Sequence, residues 1–146
     1  MPVLNYLADT NCVSDFFRAE TPVKRWFAEH RGQIGISTLT LAEIRRGIEL
    51  RAQGKTRRQL EKVYEFILDD YRDAIFVFDE AAAMEWGRLM SEARNHPVPY
   101  GDSLVAAIAR SCGLRVLTRN LKHFPGCETV DPWTGSEHPA WGPPSP

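Results

Sequence analysis

Three acidic residues, Asp9, Glu43 and Asp102, have types and positions that could do chemistry. Asp9 follows an apolar run at residues 3–8, Glu43 lies inside a helical pattern, and Asp102 opens another. Burying a lone carboxylate is costly, because desolvation penalises its charged form. Three carboxylates at packed elements therefore predict one shared pocket with a compensating cation. Oxygen ligands of this kind are those that Mg²⁺ or Mn²⁺ prefers.

Polar residues next to these acids extend the predicted pocket toward a phosphate. A metal ion in such a pocket lowers the pKa of a bound water and polarises a phosphoryl oxygen. Arginine and hydroxyl groups beside it are suited to binding the phosphate itself. The reaction class that fits is metal-assisted phosphodiester hydrolysis. We expect the amide of Asn120 to line the pocket and the following residues to contact the substrate: Thr10, Asn11, Arg46, Thr118 and Arg119.

Each acid taken alone also has a simpler structural explanation. Asp9 could be a helix cap or turn residue, and Asp102 a helix N-cap, since aspartate satisfies free N–H groups at that position. Glu43 alone would usually face solvent, although Leu39, Gly47 and Leu50 share its side of the helix. The order and surroundings of the three acids, rather than any one of them, support a common site.

Composition and charge limit the classes of protein to which this chain can belong. The chain has 146 residues, enough for one domain with a sizeable core, and its net charge is −1. The charge is uneven, because residues 44–62 hold seven basic and two acidic residues. That segment is either a solvated helical surface or a strip that meets phosphates. No cationic leader or membrane-length apolar run is visible, so we expect a cytoplasmic protein without membrane contact.

Short apolar segments alternate with helical patterns along the chain. We predict strands at residues 3–8, 33–37, 74–78, 115–118 and 129–130, with helices between them. Apolar strands without clean alternation are typical of a parallel sheet covered on both faces. The fold class is therefore α/β, with three layers (α/β/α) and a central, mostly parallel sheet. Because ligands gather at the carboxyl ends of such strands, the acids should meet at one edge.

The end of the chain has a different composition. We assign residues 1–134 to a nuclease-like domain and residues 135–146 to a proline-rich C-terminal tail. Proline and glycine are frequent in this tail, so we expect no regular structure beyond about Trp133.

Two other functions remain open on the residues alone. An aspartate-dependent phosphatase would use Asp9 as its nucleophile, but its usual second acid, two residues later, is replaced by Asn11. Release of phosphate from a monoester would identify that activity. A receiver-like signalling module would need adjacent acids after the first strand, where only Asp9 occurs.

Four segments in this order resemble the PIN-domain ribonucleases, and most closely the VapC and FitB-like toxins of bacterial toxin–antitoxin pairs. The likeness runs from about residue 1 to about residue 134 and includes Gly47 and residues 131–133. The segments that carry it are residues 7–11 (LADTN), 41–44 (LAEI), 102–107 (DSLVAA) and 117–120 (LTRN).

The resemblance implies a Mg²⁺- or Mn²⁺-dependent endoribonuclease that cuts a cellular RNA. It implies a homodimer, a cognate antitoxin that blocks the acidic groove, and operator DNA contacted only through that antitoxin. Asp9, Glu43 and Asp102 match the three principal metal-site acids of the family. Many members have a fourth acid, whose likeliest position here is Asn120, with His123 nearby. The number of bound metal ions, one or two, stays open. An inactive domain that binds RNA or a partner without cleaving also remains an alternative.

Overall fold

A central six-stranded sheet organises the computed structural model, which describes residues 3–18 and 21–142. Its strand order is β3-β2-β1-β4-β5-β6, and all neighbours are parallel except β5 and β6. The predicted, mostly parallel sheet is therefore confirmed. The strands are β1 (Tyr6–Ala8), β2 (Ile34–Ser37), β3 (Ile75–Phe76), β4 (Arg115–Leu117), β5 (Thr129–Val130) and β6 (Glu137–His138).

Six α-helices accompany these strands in the described part of the chain. Local signals set several of their ends: Pro22 occupies the first turn of α2, and Gly113 ends α6 with φ of 67°. Two 3₁₀ turns, Arg72–Ala74 and Leu121–His123, complete the regular structure. The helices are α1 (Thr10–Phe16), α2 (Pro22–Glu29), α3 (Thr38–Glu49), α4 (Lys55–Asp70), α5 (Glu80–Glu92) and α6 (Tyr100–Cys112).

The sheet is covered on both faces, as the apolar strands predict. Along β1, Tyr6 and Ala8 join one core cluster while Leu7 joins the other, because successive side chains point to opposite faces. The first cluster includes side chains of α1 to α4, and the second those of α5 and α6. This is the expected three-layer arrangement. In the described residues, no helix combines the length and apolar character that crossing a membrane requires.

Strand β1 lies between β2 and β4, so the three parallel strands end at one edge of the sheet. Asp9 follows β1, Ser37 ends β2 and Thr118 follows β4. The N–H groups of Asp9 and the Sγ of Cys12 both donate to the carbonyl of Leu117, at 3.0 and 3.1 Å. These bonds fix the start of α1 beside the end of β4.

The expectation that regular structure stops near Trp133 is wrong. Strand β6 pairs antiparallel with β5, with His138 opposite Thr129 and Glu137 opposite Val130. A turn between the two strands makes this pairing possible. Across it, the N–H of Asp131 donates to the carbonyl of Ser136, and the N–H of Gly135 donates to the carbonyl of Asp131. The tail therefore extends the sheet at least to β6, and residues 143–146 lie outside the described part of the chain.

Candidate active site at the carboxyl edge of the sheet

Asp9 is the most deeply placed of the three acids, with 3% of its surface exposed. It caps α1, and its Oδ1 accepts a hydrogen bond from the N–H of Cys12 at 2.8 Å. The cap explanation is thus correct for this residue. The cap bond uses one carboxylate oxygen of Asp9, Oδ1, so capping is compatible with a second role for Oδ2. Burial raises the pKa of Asp9, against an opposing effect of hydrogen bonds from Thr118 and Cys12.

Asp102 is not the N-cap of its helix. Helix α6 begins at Tyr100 with Pro99 at the cap position, which places Asp102 in the first turn. Its Oδ2 lies 2.8 Å from Nδ1 of His123, a residue of the 3₁₀ turn after β4. The carboxylate is thereby directed across the edge toward the end of β4.

Glu43 lies on α3 and is exposed. On the side of the helix that it shares with Leu39 and Leu50, Leu39 packs against the second core cluster, whereas Leu50 is exposed. The carboxylate of Glu43 reaches toward α6: a Cβ atom added at Gly101 would lie 2.9 Å from Glu43 Oε1. The glycine beside Asp102 therefore leaves room for the Glu43 carboxylate.

A chain of hydroxyl groups joins the ends of β1 and β2 under the three acids. The hydroxyl of Thr10 donates to Oγ1 of Thr40 at 3.2 Å, and Ser37 Oγ accepts from the N–H of Thr40 at 3.2 Å. Ser37 and Thr40 are fully buried. These bonds hold the start of α1, which Asp9 caps, in a fixed relation to the start of α3, the helix that carries Glu43 in its second turn.

The three acids, which we call the acidic edge, act on one another electrostatically. Burial raises the pKa of Asp102 most, the negative charges of Asp9 and Glu43 raise it further, and His123 opposes them. Within residues 3–18 and 21–142, no lysine or arginine forms an ion pair with any of the three. Among the described residues, the imidazole of His123 is therefore the basic side chain that opposes the repulsion inside the acidic edge.

The chemistry of this donor set fits a hard divalent cation, since it consists of carboxylate oxygens whose mutual repulsion a cation would remove. Their separation is wider than a closed metal site requires. Among the described residues, no three His, Cys, Asp or Glu side chains are grouped closely enough to hold one ion. For these residues to hold one ion, water molecules and rotation of the exposed Glu43 side chain would have to complete its coordination.

The predicted polar residues divide into two groups. Thr118 is buried at the end of β4, and its Oγ1 accepts from the N–H of Asn120 at 2.9 Å. Arg119 is exposed, with its guanidinium carbon 3.8 Å from the centre of the Trp133 ring. These three residues border the acidic edge. Arg46 and Asn11 are exposed on α3 and α1, away from the contacts that join the acids.

Sequence reasoning named His123 only as a neighbour of Asn120 and did not foresee its contact with Asp102. His123, rather than the expected Asn120, places its side chain against an acid. The only sequence signal was its position three residues after Asn120. The buried pair Ser37 and Thr40 was also missed, although hydroxyl residues at the end of an apolar strand are a recognisable sign of a helix start.

Comparison with known proteins assigns this geometry to a family. The PIN domain family profile matches residues 6–125. Toxin FitB of Neisseria gonorrhoeae is 30% identical over 136 residues, covering 87% of this chain and 97% of that protein. The tRNA(fMet)-specific endonuclease VapC of Shigella flexneri is 30% identical over 125 residues, covering 84% and 91%. The crystal structure of FitAcB from Neisseria gonorrhoeae superimposes with a TM-score of 0.81 at 29% identity, covering 88% of this chain and 98% of the other.

Proposed function

The chain belongs to the PIN domain family, and from that premise we propose that it is a metal-dependent endoribonuclease, the toxin of a toxin–antitoxin pair. One relative is named as a tRNA(fMet)-specific endonuclease and another as a toxin. The observation that carries the proposal is that Asp102 is partly buried at one edge of the sheet, where burial raises its pKa and the negative charges of Asp9 and Glu43 raise it further. A divalent cation would lower the cost of bringing these carboxylates together, and the same ion can supply the chemistry of phosphodiester hydrolysis.

The catalytic residues under this proposal are Asp9, Glu43 and Asp102, which would hold Mg²⁺ or Mn²⁺, with Asn120 beside them. When bound, such an ion supplies a water of lowered pKa and stabilises charge on phosphate oxygens. The cap bond from Cys12 to Oδ1 orients Asp9, and the hydroxyl of Thr118 is a further hydrogen-bond partner of the carboxylate. The contact with His123 orients Asp102 in the same way.

Residues at the end of β4 are suited to binding the RNA backbone. Arg119 stacks on Trp133, which leaves the edge of its guanidinium free to donate to a phosphate. Thr10, Asn11, Thr118 and Arg46 are the further proposed substrate contacts. Arg45 and Arg57 both form ion pairs with Glu49, which lowers the unpaired positive charge of the strip at residues 44–62. On α3 itself, where Arg45 is paired with Glu49, we assign the RNA contact to Arg46.

The proposed partners follow from the same relatives. We propose a cognate antitoxin that covers the acidic edge, and a toxin that is itself a homodimer. Operator DNA would be contacted through the antitoxin alone. The proposed site of action is the cytoplasm, where the RNA substrate is found.

Incubation of the purified protein with total bacterial RNA and with a tRNA(fMet) transcript tests this function, with Mg²⁺, Mn²⁺ or EDTA. We expect endonucleolytic cuts with metal and none with EDTA. Asp102→Asn should abolish cleavage while the far-ultraviolet circular dichroism spectrum stays unchanged. Asp79→Asn is the matched control, because Asp79 caps α5 through Ala82 N–H but lies outside the acidic edge. Cleavage by Asp102→Asn protein as fast as by the parent would refute the assignment.

A second candidate function has one observation in its favour. The position expected for a fourth acid is Asn120, and the side chain that contacts Asp102 is an imidazole. A domain that binds RNA without cutting it would retain the three acids but lack this carboxylate. RNA binding without cleavage in either metal would select this candidate.

A further inference from the structure

The 3₁₀ turn Leu121–His123, which we call the histidine turn, carries the imidazole that contacts Asp102. Two backbone bonds close it: His123 N–H to Asn120 O at 2.9 Å and Phe124 N–H to Leu121 O at 3.1 Å. Phe124 is fully buried in the core and anchors the downstream end. A three-residue 3₁₀ turn has poor hydrogen-bond geometry, so its orientation depends on contacts from outside.

The C-terminal segment supplies one of those contacts. The indole Nε1 of Trp141 donates to the carbonyl of Leu121 at 2.8 Å. The backbone carbonyl of Trp141 accepts from the N–H of Gly126, which lies just after the turn. Trp141 is thus attached both to the start of the histidine turn and to the chain that follows it.

The loop between α5 and α6 supplies the other contact. Nε2 of His96 lies 3.2 Å from the carbonyl of Lys122, and since a carbonyl only accepts, Nε2 carries the proton. The His96 ring also packs edge-on against Trp141, with centroids 5.1 Å apart and planes at 82°. Two consecutive carbonyls of the turn are therefore bound by side chains that contact each other.

We propose that Trp141 is a positioning residue that, with His96, holds the histidine turn so that His123 stays against Asp102. The C-terminal segment, which lies beyond the region matched by the family profile, thereby becomes part of the active-site framework. The bond from Trp141 is half-buried and the one from His96 is exposed, and both act by fixing a conformation rather than by touching the substrate. The effect on RNA cleavage rests on the proposed function, whereas the effect on the turn does not.

Trp141→Phe in the full chain tests the proposal, because it keeps an aromatic ring against His96 and removes only the N–H donor. We expect amide hydrogen exchange at His123 and Phe124 to accelerate by roughly threefold to tenfold, the size that one lost hydrogen bond predicts. The NMR signal of His123 Nδ1–H should broaden or move upfield as the contact with Asp102 loosens. In RNA cleavage, kcat should fall while KM changes less than twofold.

Trp26→Phe is the control, since Trp26 stacks on His30 at 3.6 Å in the opposite helical layer. It should leave exchange at His123 and the imidazole signal as in the parent. Unchanged exchange and an unchanged His123 signal in Trp141→Phe would overturn the proposal and assign the turn to Phe124 alone. If the parent cleaves no RNA, the proposed function fails, and the exchange measurement still decides the role of Trp141.

Discussion

Nδ1 of His123 lies 2.8 Å from Oδ2 of Asp102, in a pair whose side chains are 38% and 29% exposed. The family resemblance directed attention to Asn120 for a fourth acid, and the structure puts a nitrogen donor beside the third acid instead. An imidazole N–H bonded to a carboxylate fixes the rotamer of that carboxylate and leaves its other oxygen for a ligand. The partial exposure of the pair limits its contribution to stability, so its main consequence is orientation.

Comparing two substitutions at Asp9 separates its cap from its charge. Asp9→Asn keeps an oxygen for the N–H of Cys12, whereas Asp9→Ala removes it. We expect the Ala variant to unfold about 1 kcal/mol more easily than the Asn variant, the usual contribution of an N-cap. Urea unfolding in EDTA measures the difference. Equal stability of the two neutral variants would show that the cap bond contributes nothing.

The raised pKa values of Asp9 and Asp102 set the pH dependence of stability without metal. A carboxyl whose pKa is higher in the folded state binds protons more tightly there than in the unfolded chain. Its stabilising contribution is complete below the ordinary carboxyl pKa, 3.8, and is lost as pH rises through the raised value. Urea unfolding in EDTA should therefore show Asp9→Asn gaining stability relative to the parent from about pH 4 to neutral.

The same urea unfolding measurements, repeated over the same pH range in saturating Mg²⁺ in place of EDTA, provide the comparison. A bound cation favours the charged carboxylates, so it should reduce the loss of parent stability at neutral pH. A parent protein that gains stability relative to Asp9→Asn as pH rises in EDTA would contradict the raised pKa of Asp9.

Gly101→Ala should affect stability and activity in opposite directions. Alanine favours the helix over glycine by about 0.5–1 kcal/mol, and Gly101 lies in the first turn of α6. The new Cβ would lie 2.9 Å from Glu43 Oε1, the mobile end of an exposed side chain that can move away. We expect an unchanged or higher melting temperature with RNA cleavage reduced about tenfold, about 1.4 kcal/mol in the barrier. Gly47→Ala is the control, because the new Cβ would lie in open space on α3. Gly113→Ala is not suitable as a control, since the φ of 67° at Gly113 disfavours alanine.

Arg119→Gln should weaken RNA binding without altering sequence preference. The guanidinium contacts Trp133 and no acid of the acidic edge, so a phosphate is its expected partner. Loss of one phosphate contact lowers the slope of log K against log salt by about 1. Fluorescence anisotropy with a short RNA in EDTA measures the slope. Arg119→Lys keeps the charge and should retain the slope, while a slope unchanged in Arg119→Gln would remove Arg119 from the interface.

The sequence by itself determined the layered α/β fold and the edge at which Asp9 and Thr118 meet. These features follow from local patterns: apolar runs form the buried strands, Pro22 and Gly113 mark helix ends, and polar residues follow where strands stop. Only the tertiary structure decided that His123 faces Asp102, that β6 pairs with β5, and that Trp141 bonds to Leu121. Each of these depends on turns and on pairings between segments distant in sequence. Local propensity does not specify such contacts, because their geometry is fixed only when the whole core has packed.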